Sequence, residues 1–218
     1  MSEEDCSLHR LCRVRNKGVV DLEQAKKHDR KIMITDIAIE KVPYVEVSGL
    51  SQEQCETIQQ EHREILRIAQ SENESNEVLT IMSKNLLARV RVKGSEFEVL
   101  PASDPRAVSL LNRSGRQELM YLHNHPSTKI FSLADIMTFI QYGEICLMSV
   151  VTNQGTVHIL YKNQSYNYTV TCQLLDVIYR RYQVNELTHD VAVKEFLKMC
   201  SKGGITYAQS GYTAGHKR

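Results

Sequence analysis

The run ELMYLHNHPSTKIFSLAD, residues 118–135, contains a strand, a turn and a helix start within a few turns of chain. Glu118 to His123 is apolar enough to read as a buried strand. Asn124 to Phe131 reads as a loop that Pro126 turns, and a helix is expected from near Ser132 to about Gly143. His123 and His125 stand two apart at the strand end, so their rings project from one face. Two imidazoles side by side suit adjacent positions on one zinc ion. Asp135, in the first turn of the following helix, can point back at them. Two histidines and one carboxylate leave a fourth position open, the pattern of a hydrolytic rather than a structural zinc site. Ser132 offers a hydroxyl on the open side, where it could meet the oxyanion of a tetrahedral intermediate. Taken singly, these residues have plainer readings: Ser132 and Asp135 as a helix cap, and His-Asn-His as polar residues at a strand end. Their combination in one compact unit after an apolar strand favours the metal site.

Working outward, a catalytic metal still needs a base. Glu77 opens the strand pattern EVLTIMS, after the polar break SENESN, and a carboxylate there could face the site from a neighbouring strand. Glu72 and Glu74, in the break itself, are rivals for the role. Before the break, Ser51 and Gln54 have capping-box spacing, and Cys55, Ile58, His62, Ile65, Leu66 and Ala69 draw one apolar stripe on a helix ending near Gln70. His62 on that stripe reads as a core-edge histidine with a hydrogen-bonded ring. LLARVRV and EFEVL read as second and third strands, and Asp104-Pro105 opens a helix that closes around Asn112 to Gly115. Beyond the central run, ICLMSVVT and TVHILYK are strands around a turn at Asn153-Gln154-Gly155. Cys172 to Val184 is amphipathic, and a last helix near Val191 to Cys200 ends in Gly203-Gly204 and a polar, frayed tail. Lys31 to Gly49 suggests one or two strands broken near Pro43, preceded by a turn at Asn16-Lys17-Gly18. It could pack on this chain or on another. The expected organisation is an arm over 1–49, a core domain over 50–165, and a helical extension with a flexible tail over 166–218.

Composition sets the frame. The chain has 218 residues, enough for a sizeable core, with 24% charged and 42% hydrophobic residues. Lys+Arg 27 against Asp+Glu 26 gives a formal charge of +1, which argues against a generally basic nucleic-acid binder, though not against a local patch. No run approaches the ~18 apolar residues of a membrane span. The charged start MSEEDCSLHRLCRV shows no secretory signal. Cysteines 6, 12, 55, 146, 172 and 200 form no C-x-x-C, so cysteine-only zinc is not expected and reduced thiols in a cytoplasmic chain are. Cys146, in an apolar strand, reads as a buried inert thiol. His158 and His189 read as surface or packing residues. Gly94, Gly115 and Gly155 stand in no phosphate-cradling pattern, and no serine or cysteine sits in a nucleophile elbow.

H-N-H-P, five residues, then S-L-A-D resembles the signature of the JAMM (MPN+/JAB) zinc metalloproteases, H-x-H-P followed by S-x-x-D with a glutamate far upstream. The wording H-N-H-P-S is closest to the RadC-like branch and to prokaryotic and phage JAB proteins. The proline-to-serine loop is one residue shorter than the family's usual six. The likeness covers about Leu50 to Lys162. It implies an α/β (α+β type) architecture: a cytidine-deaminase-like JAB/MPN fold with a mixed central sheet flanked by helices. By position it makes His123, His125 and Asp135 the ligands of Zn2+, Glu77 the general acid/base and Ser132 the oxyanion support. The implied activity is that of a zinc metallopeptidase or isopeptidase on a protein or peptide substrate, ubiquitin-like proteins among them. An extended peptide would suit a strand edge beside the site. The alternative is a non-peptidase JAB-fold interaction or assembly module, in a phage particle or a RadC-like DNA-processing context, with protein partners.

Overall fold

The computed structural model describes residues 31–210 of the chain. The expectations for the charged N-terminus, Cys6, Cys12, the Asn16-Lys17-Gly18 turn and the last eight residues lie outside the described residues. Within them the architecture is mixed α/β, a six-stranded mixed sheet with helices on both faces. Its strands are β1 (Val78–Ser83), β2 (Arg89–Lys93), β3 (Leu119–His125), β4 (Ile145–Thr152), β5 (Val157–Lys162) and β6 (Ile205–Gln209). Their order is β2-β1-β3-β4-β5-β6. Neighbours are antiparallel except for β3 and β4, which run parallel. Every residue of these two central strands is buried, as expected of strands covered on both faces.

The helices are α1 (Asp36–Glu40), α2 (Gln52–Glu72), α3 (Pro105–Arg113), α4 (Leu133–Gln141), α5 (Tyr168–Gln183) and α6 (His189–Met199). On α2, Ser51 and Gln54 form the capping box, and the predicted stripe of Cys55, Ile58, His62, Ile65, Leu66 and Ala69 is buried. That stripe meets Val78 and Met82 of β1, Met120 and Leu122 of β3, and Leu147 and Val151 of β4 in one core. Strand alternation sends the other residues to the opposite face: Leu79 and Ile81, Leu119 and Tyr121, Met148 and Val150. There they pack on Ile136 and Phe139 of α4, Leu175 and Ile178 of α5, and Val193 and Phe196 of α6. Each such large side chain removed from water contributes ~1.5–3 kcal/mol, so the two cores hold the sheet from both sides.

Three segments depart from the sequence reading. Residues 31–49 form no strand. Thr35 caps α1 by accepting the Ala38 N–H at 3.3 Å, and Ile34, Ile39, Val42 and Val47 sink into the α2-side core. The segment thus packs on this chain's own sheet. EFEVL is no strand either. Ser95 Oγ accepts the N–H groups of Phe97 and Glu98, each at 3.2 Å, which curls the chain into a turn and leaves Phe97 and Leu100 exposed. The alternating pattern there has no strand to pair with. Conversely, β6 lies where a frayed tail was expected. Gly204, with φ +74°, reverses the chain after a 3-10 turn at Cys200–Gly203, and Ile205–Gln209 then pairs with β5. In the predicted β4–β5 turn, Gly155 has φ +85°, and a Cβ there would collide with the Ala38 carbonyl. No helix among the described residues is long and apolar enough to cross a membrane.

Candidate metal centre

The candidate site lies at the C-terminal end of β3, which is flanked by the parallel β4 on one side and the antiparallel β1 on the other. His123 and His125 are separated by one residue and lie on the face that carries Tyr121 and Leu119. Their rings meet edge to face, with centroids 4.9 Å apart. Pro126 then ends the strand. The loop Ser127 to Phe131 is anchored by the buried Phe131 ring and sets α4 so that its first turn faces the histidines. Ser132 and Asp135 form a reciprocal capping box. Because the cap fixes the Asp135 backbone, its carboxylate is aimed by a local device that the sequence already contains.

Three side chains converge. The His123 and His125 Nε2 atoms are 3.1 Å apart, and the Asp135 carboxylate spans the pair, with Oδ1 3.5 Å from His123 Nε2 and Oδ2 3.4 Å from His125 Nε2. One donor atom from each of the three lies within 4.8 Å of the others, close enough for a single ion to reach all three. The set is two nitrogens and a carboxylate, the only group of three or more metal-capable side chains that converges among the described residues. His125 Nδ1 lies 3.1 Å from the Lys129 carbonyl and donates to it, which leaves the Nε2 lone pair for a ligand. His123 Nδ1 is buried without a partner. The donor set and spacing fit a divalent cation such as zinc.

Charge follows the geometry. Burial raises the cost of ionising Asp135, yet the two imidazoles overcome it and hold the carboxyl well below its ordinary range. Burial lowers His123, whereas for His125 the contact with Asp135 outweighs burial and raises it. Burial pushes Glu77 up to about 8, with His125 pulling it down and Asp135 pushing it up, so Glu77 shares the electrostatic environment of the ligands. The β1–β3 register, Leu79 opposite His123, sets Glu77 opposite His125 when continued by one same-face step. Of its rivals, Glu72 is exposed and paired with Lys93, and Glu74 is exposed on a left-handed residue. Of the three, only Glu77 is brought to the His123, His125 and Asp135 cluster.

Ser132 is placed beside the site, with its hydroxyl donating to Asp135 Oδ2 at 2.7 Å and accepting from the Asp135 N–H at 3.0 Å. In this state it positions the carboxylate. His62, on the far face, is buried with Nε2 2.7 Å from Ser149 Oγ, as a core histidine should be. His158 packs against the Tyr207 ring and hydrogen-bonds its hydroxyl. Cys55, Cys146, Cys172 and Cys200 are buried free thiols, and burial pushes Cys146 up to about 11.

Two supports were not read from the sequence. Asn124, between the histidines but on the opposite face, accepts the Val78 N–H at 2.7 Å and donates to the Asn76 carbonyl and to Asn153 Oδ1. Asn153 donates in turn to the carbonyls of Ile32 and Ser75. This amide relay ties the strand end to the start of β1 and to residue 32. A buried polar residue amid an apolar strand was its one sequence signal. The second is His189 of α6, whose Nε2 accepts the Leu133 N–H at 3.2 Å and so adds a cap to the same helix turn that carries Asp135. Its place 56 residues beyond Leu133 gave no local cue.

Compared with protein-family models, with curated proteins and with solved structures, the chain finds no match.

Proposed function

We propose that this chain is a zinc-dependent hydrolase of the JAMM type, built on a JAB/MPN-like sheet, that cleaves a peptide or isopeptide bond. One observation carries the reading: the convergence of the His123, His125 and Asp135 donor atoms, with the buried Glu77 carboxyl in their electrostatic field. A zinc ion held by those three residues would supply Lewis-acid polarisation of water and of a substrate carbonyl. The chain's own groups do the rest. Glu77 takes the proton from the attacking water and later delivers it to the leaving amine; a carboxyl pushed up to about 8 by burial is able to hold that proton between the two steps. A nearby cation would favour its ionised, proton-accepting form. Ser132 and His189 fix the first turn of α4 and with it Asp135. When the Ser132 hydroxyl turns from Asp135 toward a substrate, it donates a hydrogen bond to the carbonyl oxygen as negative charge develops there. The substrate class is a protein or peptide, ubiquitin-like proteins among the candidates, and the expected setting is the cytoplasm.

The test begins with metal analysis of the purified chain. One zinc per chain, removed by chelator and lost in Asp135→Ala, supports the centre. Glu77→Gln should keep the metal and the fold but lose at least about a hundredfold in turnover of ubiquitin-like fusion substrates. Absence of stoichiometric zinc, or full turnover in Glu77→Gln, overturns the reading; bound zinc without turnover of any peptide or isopeptide would favour the assembly-module alternative.

A further inference from the structure

A second feature lies on the opposite face of the sheet. Strand β2 is the outer strand, paired only with β1 among the described residues. The Ser83 N–H bonds the Ala88 carbonyl, and the Gly94 N–H bonds the Glu77 carbonyl. With the register Val78 to Lys93, that parity turns the backbone groups of Val90 and Val92 toward β1. The N–H and C=O groups of Arg89, Arg91 and Lys93 therefore point away from the sheet. The same three residues send their side chains to the α2 face, where Arg89 and Arg91 pair with Glu61 and Lys93 with Glu72.

Beside this edge lies a cavity of about 450 Å3 between α2 and β2. Arg63, Arg67, Arg89 and Arg91 line it, against the carboxylates of Glu61 and Glu64 alone. Glu61 is only 4% exposed and already shared by two guanidinium groups, so it neutralises little more than one of them. Arg67 pairs with Glu64, and Arg63 donates to the Glu40 and Val42 carbonyls, which leaves its charge unneutralised. With four guanidinium groups against two carboxylates, the cavity holds surplus positive charge next to an unpaired strand edge.

We propose that the β2 edge and this arginine cavity dock an extended acidic segment of a partner protein. The segment adds as a further strand, its backbone meeting the outward groups of Arg89, Arg91 and Lys93, and its alternate Asp or Glu side chains enter the cavity. An edge strand presents carbonyls as well as N–H groups. A peptide backbone satisfies both, whereas phosphates would be repelled by the carbonyls, so a nucleic-acid strand fits this edge less well. Guanidinium groups also bind carboxylates in bidentate fashion. The site is independent of the His123, His125 and Asp135 cluster, which lies on the other face.

The probe is a fluorescein-labelled peptide of about ten residues alternating Glu and Val, with a Lys and Val peptide as control. Binding to the full chain is read by fluorescence anisotropy at low and at physiological salt. Saturable binding of the acidic peptide alone is expected. Arg67→Glu leaves the Glu61 pairs intact and should weaken binding at least about tenfold by adding repulsion at the cavity mouth. Lys93→Pro removes an outward N–H without touching a bond to β1 and should do the same, with a melting curve confirming that it folds. No saturable binding up to millimolar peptide, equal binding of the basic peptide, or stronger competition by a single-stranded oligonucleotide than by the unlabelled acidic peptide would overturn the proposal. Unchanged affinity in Arg67→Glu would do so as well.

Discussion

Asn124 shows how single residues set this site. Its side chain satisfies the Val78 N–H and the Asn76 carbonyl on the face away from the histidines it separates. Removing it strands those buried groups, so Asn124→Ala should cost about 1–3 kcal/mol in urea unfolding. It should also weaken metal binding, because the strand end is freed; an unchanged unfolding midpoint would contradict the relay. Ser132 has two separable duties. Ser132→Ala removes the cap and the bond to Asp135, whereas Ser132→Gly loses the same hydroxyl but little of the capping preference. If the hydroxyl serves the oxyanion, the Gly variant should regain stability in thermal melts but not turnover. Parent-level turnover in Ser132→Gly would show that the hydroxyl does not serve the oxyanion.

Among the elements, α4 depends on two partners for one short turn. Its capping box is local, but the Leu133 N–H is accepted by His189 at the start of α6. His189→Ala leaves that N–H without its acceptor, and should lower stability by about 0.5–2 kcal/mol, the usual range for a lost cap. The signature of positioning, as opposed to mere packing, is weaker zinc retention in a chelator competition, with His189→Asn restoring it by supplying an acceptor. The element comparison also explains which patterns misled. The EFEVL alternation is real, yet Ser95 closes a turn before a strand can pair, and Pro101 follows at once. Residues 205–209, ITYAQ, are a short run inside a polar tail that by itself shows no partner, but β5 presents an edge that they cover.

For the whole molecule, buried titratable groups make stability depend on pH. Burial pushes His62 down to about 3 and Lys162 down to about 7. Both folded values lie below the ordinary ones, 6.5 and 10.5, so in each window the unfolded chain binds the extra proton. Stability should therefore rise with pH from about 3 to 6.5 through His62 and from about 7 to 10.5 through Lys162. Each group contributes at most ~1.4 kcal/mol per pH unit within its window. Lys162 sits over the Phe139 and Tyr166 rings and donates to the Tyr142 carbonyl, which offsets part of the penalty when it is charged. Lys162→Met should flatten the alkaline slope and raise the melting temperature more at pH 6 than at pH 10. A parallel slope in parent and variant would show that Lys162 does not titrate in this range.

The sequence by itself determined the elements that carry their own signals. These include the capped α2 stripe, the β4–β5 turn with Gly155, and the local unit from His123 to Asp135, where strand parity and a capping box settle which side chains face each other. It favoured Glu77, at the start of a strand, over its rivals Glu72 and Glu74 as the carboxylate that faces the histidines. That Glu77 and neither rival lies opposite His125 depends on the pairing of β1 with β3, across 46 residues of chain from Glu77 to His123. The same holds for β6, the Asn124–Asn153 relay, the His189 cap and the arginine cavity at the β2 edge. Each depends on contacts between segments far apart in the chain, and local periodicity records which face of a segment is apolar but not which segment will cover it.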